Sequence, residues 1–196
     1  QDQFANLAER ARGAGMKFIS TPLDMPSAVF LNGVVDALKI ASGDNTFYPL
    51  IDFVAGTDKP VIISTGFADE PAIAMAAATV EKIRAGRVNG PEMALLHCVS
   101  AYPVAPEDAN LGAVRRLDKR FGENATIGYS DHTLGTQAAT LAIAAGARII
   151  EKHFTLDRNY SDFRDHQLSA DPAMMADLVK AIREAEVLMG AGDLAP

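Results

Sequence analysis

Short apolar runs alternate with longer amphipathic stretches along the whole chain. The short runs are largely apolar and rich in β-branched side chains, which is typical of parallel strands covered on both faces. The longer stretches carry apolar residues three and four positions apart, the spacing of one helix face. The predicted strands are 17–21, 38–42, 61–65, 94–98, 126–130 and 149–154. The predicted helices are 3–13, 70–86, 107–121, 134–146 and 172–189.

The spacing of these elements predicts the fold class. Successive strand starts lie roughly 20 to 33 residues apart, the size of repeated strand–helix units. No linker rich in Gly, Ser or Pro interrupts the alternation, so the pattern predicts one α/β domain with parallel strands over residues 1–196. Two architectures fit, a doubly wound open sheet and a (β/α)8 barrel. A barrel needs eight units and typically about 250 residues, whereas the sequence shows six.

Polar side chains at the ends of the predicted strands favour the barrel. In a (β/α)8 barrel, function lies at the carboxyl ends of many strands, and nearly every run here ends in chemically useful groups. The glycine-rich motifs GxGxxG and GxxxxGK[ST] are absent from the sequence. We therefore predict a (β/α)8 TIM barrel of which about six βα units are present.

The charge and the cysteine content limit the kinds of partner and the kinds of site that the chain can have. The chain has 18 basic and 25 acidic side chains and a net charge of −7, whereas a general nucleic-acid binder needs a basic surface. A few basic groups in a cleft can still attract an anionic small molecule. Cys98 is the only cysteine, which excludes an internal disulfide and a multi-cysteine zinc site and fits a cytoplasmic protein. No run of 18 apolar residues occurs, so no membrane helix is expected.

Lys39 lies inside an apolar run, where two roles are open. Its flexible stem can extend to the surface, or its ammonium group can bind a phosphate or carboxylate as a point charge. Hydroxyl-rich turns that contain Thr21, Ser42 and Ser64 follow three successive strands. Each turn alone is a common sequence, but the three together indicate a cradle for an oxyanion or a phosphate.

His132 and His153 each stand at or just beyond the end of a strand, and the two strands are sequential. Either they are structural histidines at the strand ends, or their rings converge. Two imidazoles with oxygen ligands form an open site for Mn²⁺, Fe²⁺, Co²⁺ or Zn²⁺, and such a metal can polarise a carbonyl. Asp131 and Glu151 are candidates to orient the two rings.

Cys98 is flanked by apolar residues, so we expect it to pack as a small core side chain rather than to act as a nucleophile. His97 is its neighbour in the same strand and therefore points to the opposite face. This arrangement argues against a Cys–His dyad.

Two strings, IGYSDHTLG (127–135) and IIEKHFTLD (149–157), resemble the sialic acid synthase family. That family comprises N-acetylneuraminate synthases and their legionaminate, pseudaminate and spore-coat polysaccharide relatives. The resemblance covers the chain from about residue 4 to residue 190. Further strings match in the same order and spacing: FISTPLD (18–24), LKIASGDNTFYPLI (38–51), IISTGFA (62–68) and LLHCVSAYPVAPEDANL (95–111).

The resemblance implies a transferase that condenses phosphoenolpyruvate with an N-acetylated hexosamine such as N-acetylmannosamine, giving a nonulosonic (sialic) acid and phosphate. It implies a requirement for a divalent metal, Mn²⁺ or Mg²⁺. It also implies a (β/α)8 barrel followed by a small antifreeze-like domain, in a domain-swapped homodimer. Against that pattern, residues 1–196 are expected to be the barrel domain without its first two strands and without the antifreeze-like domain. The absent strands carry a catalytic carboxylate and another phosphate-binding lysine in relatives.

Matching the motifs residue by residue assigns the site. His132 and His153 match the two metal-ligand histidines, and with Lys39 and Asp44 they form the expected catalytic set. Asp44 stands where many relatives carry Glu, and Asp165 matches a sugar-binding aspartate. The residues that match phosphoenolpyruvate contacts are Thr21, Lys39, Ser42, Ser64, Ser100, Tyr102 and Ser130, of which Ser100 replaces an Asn found in some relatives.

Two alternatives to this function stay open at the level of sequence. In the first alternative, the chain is a catalytically incompetent fragment, or a module that binds phosphoenolpyruvate or sugar without turnover. Alternatively, it belongs to another phosphoenolpyruvate–aldose condensing synthase, one that uses a phosphorylated aldose. Activity with N-acetylmannosamine against a phosphorylated aldose distinguishes the two synthases.

Overall fold

The structure is a computed structural model that describes residues 1–86 and 92–190. The chain divides into two compact units, Gln1–Leu95 and Leu96–Pro196. In the described residues no helix combines the length and the apolar character that crossing a membrane requires.

The first unit alternates strands and helices. Parallel pairing joins β1 to β2, with Ile19 opposite Ala37, and β2 to β3, with Leu38 opposite Val61. Its elements are α1 (Asp2–Gly13), β1 (Ile19–Ser20), α2 (Met25–Asn32), β2 (Ala37–Ile40), a 3-10 turn (Ser42–Asp44), α3 (Tyr48–Gly56), β3 (Val61–Ser64) and α4 (Glu70–Arg84).

The second unit continues the alternation. Strand β4 (Met93–Cys98) contributes residues to both units. β5 and β6 are parallel, with Ser130 opposite Glu151 and Asp131 opposite Lys152. The remaining elements are a 3-10 turn (Pro106–Asp108), α5 (Gly112–Phe121), β5 (Thr126–Asp131), α6 (Gln137–Ala144), β6 (Ile149–Lys152), α7 (Arg164–Leu168) and α8 (Pro172–Met189).

Strand order follows chain order in each unit. The first has β1-β2-β3-β4 and the second β4-β5-β6. A doubly wound sheet reverses its strand order part-way, and neither unit shows such a reversal among its described strands. The α/β class with parallel strands is therefore confirmed, and all six predicted strands are present at or within two residues of their predicted starts. The closed eight-stranded barrel and the single domain over 1–196 stay predictions.

Helix starts explain much of the local order. The N-caps Asp24, Asp69 and Asp171 each accept a hydrogen bond from the third residue of the helix that follows, and a proline stands in each first turn. A carboxylate cap satisfies one amide that the helix cannot pair, and proline lacks the amide that would go unpaired.

Gly128 lies at a close contact between three strands of the second unit. A Cβ atom placed there would lie 2.5 Å from Leu96 Cδ2 and 2.6 Å from the Ile149 carbonyl oxygen. Both distances are shorter than any tolerated contact, so only glycine fits. The absence of a side chain at Gly128 lets β4 and β6 pack closely on either side of β5.

Candidate functional site

Three rings meet near the ends of β5 and β6 in the second unit. His132 follows β5, His153 follows β6, and Tyr102 lies in the loop after β4. The ring centroids of His132 and His153 are 5.2 Å apart, and Tyr102 lies 4.2 Å from His132 and 5.7 Å from His153. The structure thus brings together three predicted site residues, the two histidines and Tyr102.

His132 is held in one orientation by the loop after β4. Its Nδ1 lies 2.9 Å from the Val99 carbonyl oxygen. Because a carbonyl only accepts, Nδ1 donates its proton there and the Nε2 lone pair is left for a ligand. Burial by itself lowers the pKa of His132, but its contacts with Cys98 and the Val99 carbonyl favour the charged ring and raise the pKa overall.

His153 has the opposite tendency. Burial, and then the neighbouring His132, hold the pKa of His153 below its ordinary value. Its Nδ1 lies 4.0 Å from Asp165 Oδ2, and both side chains are about one-third exposed (31% and 35%). Asp165 in α7, predicted as a sugar contact, is therefore beside one of the two imidazoles.

Arg164 was not predicted as a site residue. Its guanidinium lies 5.0 Å from the centroid of the Tyr102 ring, and its Nε lies 3.8 Å from Asp165 Oδ1. A cation over a phenol ring is attracted to the face of the ring. Burial raises the pKa of Tyr102, so its hydroxyl stays protonated. The sequence contains no signal for this contact because it depends on where α7 begins.

Asp131 and Lys152 form a buried ion pair directly before the two histidines. Their Oδ2 and Nζ atoms are 2.9 Å apart, and the two side chains are 0% and 1% exposed. Asp131 also accepts hydrogen bonds from Tyr129 and Thr133. The expectation that Asp131 orients the His132 ring by a direct contact is wrong, because both of its oxygens are bonded to other groups.

Glu151 and Ser130 pair across the two strands. The Ser130 hydroxyl, almost fully buried, donates to Glu151 Oε1 over 2.7 Å. Ser130 was predicted to contact phosphoenolpyruvate, and its proton is directed to Glu151 in this structure. It must turn away from that carboxylate to donate to an anion. Ser100 is half-buried in the loop after β4.

The chain neighbours His97 and Cys98 point to different partners, as predicted. Cys98 is buried, with its Sγ 3.9 Å from His132 Nδ1. The His97 ring stacks on Tyr129 at 5.7 Å, and its Nε2 lies 3.0 Å from the Ala109 carbonyl. Burial lowers the pKa of His97, so the ring is neutral at pH 7 and packs as part of the core.

In the first unit, Asn45 joins the turns after β2 and β3. Its Nδ2 donates to the carbonyls of Ser64 at 3.1 Å and Gly66 at 2.8 Å, and the Gly66 amide donates to the Ser42 hydroxyl at 3.2 Å. Two of the predicted hydroxyl-rich turns are thus held together. Asn45 itself was not predicted, although a buried amide after SGD is the residue type that such a link needs.

Ser64 carries the clearest mark of a binding site in the first unit. Within the described residues, its hydroxyl is buried and has no hydrogen-bond partner. A buried hydroxyl without a partner costs free energy that a bound acceptor would recover. Lys39 is half-buried in β2, Thr21 follows β1, and Asp44 ends the 3-10 turn after β2.

No group of three or more His, Cys, Asp or Glu side chains in residues 1–86 and 92–190 is arranged to hold a metal ion. The described residues therefore supply two imidazole donors, His132 and His153, and no complete ligand set. Such a pair fits an open site, in which water or substrate oxygens take the other positions.

A profile for the NeuB family matches residues 1–193. The chain belongs to the NeuB family. The predicted resemblance to the sialic acid synthases is thereby confirmed. The match spans the strings around both histidines and all three hydroxyl-rich turns.

Relatives of this NeuB-family chain include two microbial proteins. It is 47% identical over 198 residues to an uncharacterized protein of Methanocaldococcus jannaschii, covering 100% of the chain and 56% of that protein. It is 42% identical over 191 residues to the N,N'-diacetyllegionaminic acid synthase of Legionella pneumophila, covering 97% and 52%. The chain spans about half the length of these curated relatives.

A solved structure supports the same family. The N-acetylneuraminic acid (sialic acid) synthetase of Leptospira borgpetersenii superposes with a TM-score of 0.92 at 37% identity, covering 100% of this chain and 66% of that one. The fold of the NeuB-family chain is therefore that of the matching part of a sialic acid synthetase.

Proposed function

We propose that the protein containing this chain condenses phosphoenolpyruvate with an N-acetylated amino sugar of the N-acetylmannosamine type, releasing phosphate and forming a nonulosonic acid. The proposal includes a divalent metal, Mn²⁺ or Mg²⁺, a homodimer and a cytoplasmic location. Membership of the NeuB family supports the reaction class. The observation that carries the proposal is the imidazole pair, His132 and His153, with ring centroids 5.2 Å apart.

His132 and His153 would hold the metal. The hydrogen bond from His132 Nδ1 to the Val99 carbonyl presents Nε2 to a ligand, which is the usual second contact of a metal-binding histidine. The lowered pKa of His153 favours the neutral ring that a ligand needs, whereas His132, whose pKa is raised, would lose any added proton when it binds the metal. When bound, a divalent cation supplies Lewis acidity that polarises the sugar aldehyde and offsets the charge on the oxygen formed from it.

The first unit would bind the anionic groups of phosphoenolpyruvate. The unpartnered Ser64 hydroxyl is a donor already desolvated, so an anionic oxygen there gains a hydrogen bond without displacing another. Lys39 would add a charge-assisted bond. Ser42 and Thr21 would add neutral donors from the neighbouring turns. Asn45 keeps the Ser64 turn in place through its two carbonyl contacts.

The second unit carries the remaining residues that the proposed function assigns to the substrates. Asp165, beside His153, would accept hydrogen bonds from sugar hydroxyls. We assign a similar role to Asp44 of the first unit. Tyr102, Ser100 and Ser130 would contact phosphoenolpyruvate, and the Arg164 guanidinium, 5.0 Å from the Tyr102 ring centroid, would help to hold that ring.

These contacts serve a reaction in which C3 of phosphoenolpyruvate forms a bond to the aldehyde carbon of the sugar. Water then adds to the former enol carbon, and phosphate leaves by cleavage of the bond between that carbon and the phosphate oxygen. Fixing both reactants accelerates the first step by orientation. The side chains that hold the carboxylate and phosphate therefore act through position, and none needs to form a covalent intermediate.

Phosphate release by the full-length protein tests this proposal. Phosphoenolpyruvate is mixed with N-acetylmannosamine, with its phosphorylated form, or with no sugar, each with Mn²⁺ or EDTA. We expect release only with the unphosphorylated sugar and metal. Faster turnover of the phosphorylated sugar would contradict the sugar class, and full turnover in EDTA would contradict the metal. Binding of phosphoenolpyruvate without turnover on any sugar would indicate a binding module.

A further inference from the structure

The buried ion pair between Asp131 and Lys152 has no assigned part in the proposed chemistry. Its atoms are 2.9 Å apart, and both side chains are excluded from solvent. The two residues lie directly opposite each other in the β5–β6 register. Each is also the residue immediately before one of the two histidines, His132 and His153.

Lys152 contacts the chain on both sides of His132. Besides Asp131, its Nζ donates to the Thr133 carbonyl over 2.6 Å. Asp131 closes the same loop from the other side, because its Oδ1 accepts from the Thr133 amide and hydroxyl, each over 2.8 Å. The backbone that carries His132 is thus fixed by the residue that precedes His153.

The backbone carbonyls of both histidines are also bonded. The His132 carbonyl accepts from the Val104 amide at 3.0 Å, and the His153 carbonyl accepts from the Ala170 amide at 2.8 Å. These bonds fix each histidine to its own neighbouring loop. Two side-chain contacts among the described residues join the ends of β5 and β6, the Ser130–Glu151 hydrogen bond and the Asp131–Lys152 ion pair. Only the ion pair is formed by the two residues that immediately precede the histidines.

We propose that the Asp131–Lys152 ion pair is a positioning device that sets the separation of the His132 and His153 imidazoles. The inference rests on the proposed function for what the two rings bind. Neither residue touches substrate or metal in this account; both act through the backbone of the histidine that follows.

A contribution to folding stability does not by itself explain why an ion pair is buried here. A buried ion pair gives up the hydration of both charges, and well-packed apolar replacements are often as stable or more so. An ion pair does impose a geometry that apolar contacts do not, because sliding one strand past the other would leave two unpaired buried charges. A metal site needs its ligand atoms held within about 0.5 Å of their binding positions. A fixed register between the two strands keeps the ligand atoms in that range.

The test uses the full-length protein with both charges removed together, as Asp131→Asn with Lys152→Met. Mn²⁺ affinity is measured by electron paramagnetic resonance at a temperature where circular dichroism shows a folded variant. We expect the affinity to fall about 10- to 100-fold, the usual loss when a group that supports a metal ligand is removed. Crystal structures without metal should show the rings displaced by more than about 0.5 Å.

Leu178→Ala is the matched control. Leu178 is buried in α8 of the same unit, and α8 packs mainly against α6, so its truncation destabilises the fold by a change outside β5 and β6. It should leave Mn²⁺ affinity unchanged. If the double variant is folded, binds Mn²⁺ like the wild type and keeps its rings in place, the ion pair is merely structural and the inference is overturned.

Two further outcomes of this experiment also decide the inference. If the double variant does not fold, Thr133→Val replaces it: this change deletes one hydrogen bond to Asp131 and keeps both charges, and should lower Mn²⁺ affinity less but in the same direction. No effect of Thr133→Val would then overturn the inference. If the wild type binds no Mn²⁺, the proposed metal fails, and the ring positions alone decide: displaced rings support the inference, and unmoved rings contradict it.

Discussion

At the scale of single residues, Lys39 is the assignment whose effect on kinetics is most specific. It lies half-buried in β2, in the unit that carries the unpartnered Ser64 hydroxyl. Lys39→Met should raise the KM for phosphoenolpyruvate by about 10-fold or more, since a hydrogen bond to a charged group contributes about 1.5–3 kcal/mol. The KM for the sugar should change little. Steady-state kinetics with each substrate varied in turn measures both, and exposed Lys17→Met is the control.

A larger effect of Lys39→Met on the sugar term than on the phosphoenolpyruvate term would place the wrong substrate beside Lys39. An equal effect of Lys17→Met would show that net charge, rather than this position, is responsible.

Asn45 gives a second residue-scale prediction, one for stability and binding together. Asn45→Ala removes two donors and leaves the buried carbonyls of Ser64 and Gly66 without the amide. Unfolding free energy in urea should fall by about 1–3 kcal/mol, and the KM for phosphoenolpyruvate should rise because the Ser64 turn is released. Asn124→Ala, at an exposed position, is the control. If the stability and the KM for phosphoenolpyruvate were both unchanged, Asn45 would not be the residue that holds the Ser64 turn in place.

The candidate residues could be predicted where a residue type at a strand end was sufficient. His132 and His153 were found in that way, because parallel strands that are sequential end at the same edge. Asn45, Arg164 and the role of Lys152 could not, since each depends on a contact across strands or turns that spacing does not specify. The charge of Lys152 inside an apolar run was the one available signal, and it indicates a buried partner without naming it.

At the scale of elements, the strand pattern was predictable and several helices were not. All six apolar runs became strands, because covered parallel strands need continuous apolar sequence. The sequence pattern did not predict three of the helices, α2, α3 and α7. α2 and α3 are short and largely apolar, without the polar face that marks an amphipathic helix, and α7 has only 5 residues. The Asp24 cap with the proline after it was the signal for α2.

Gly128 gives the element-scale prediction. Gly128→Ala would place a methyl group 2.5 Å from Leu96 Cδ2 and 2.6 Å from the Ile149 carbonyl, so β5 must shift. We expect a loss of about 1–3 kcal/mol in unfolding free energy by urea denaturation. Gly13→Ala, where the added atom meets nothing within 4 Å, should be neutral or slightly stabilising. Equal effects of the two substitutions would show that β5 tolerates the extra volume.

At the scale of the whole molecule, the net charge of the chain and the charge of the proposed substrate, phosphoenolpyruvate, are both negative. Under the proposed function, a chain with a net charge of −7 would have to attract anionic phosphoenolpyruvate locally, and Lys39 with the strand-end hydroxyls would be the source of that attraction in the first unit. Family membership supports the proposed reaction class, and the role of the histidine pair as the metal site is the claim that experiment can test most directly.

The most direct measurement is metal-dependent phosphate release by the full-length protein carrying His132→Ala, His153→Ala or both. The account predicts that each single change reduces turnover with Mn²⁺, phosphoenolpyruvate and N-acetylmannosamine by at least about 100-fold, because each removes one of two imidazole donors. His166→Asn, a histidine of α7 bonded to Thr155, should keep most of the activity. If the double alanine variant retained full Mn²⁺-dependent turnover, the histidine pair would not be the metal site and the central claim would be wrong.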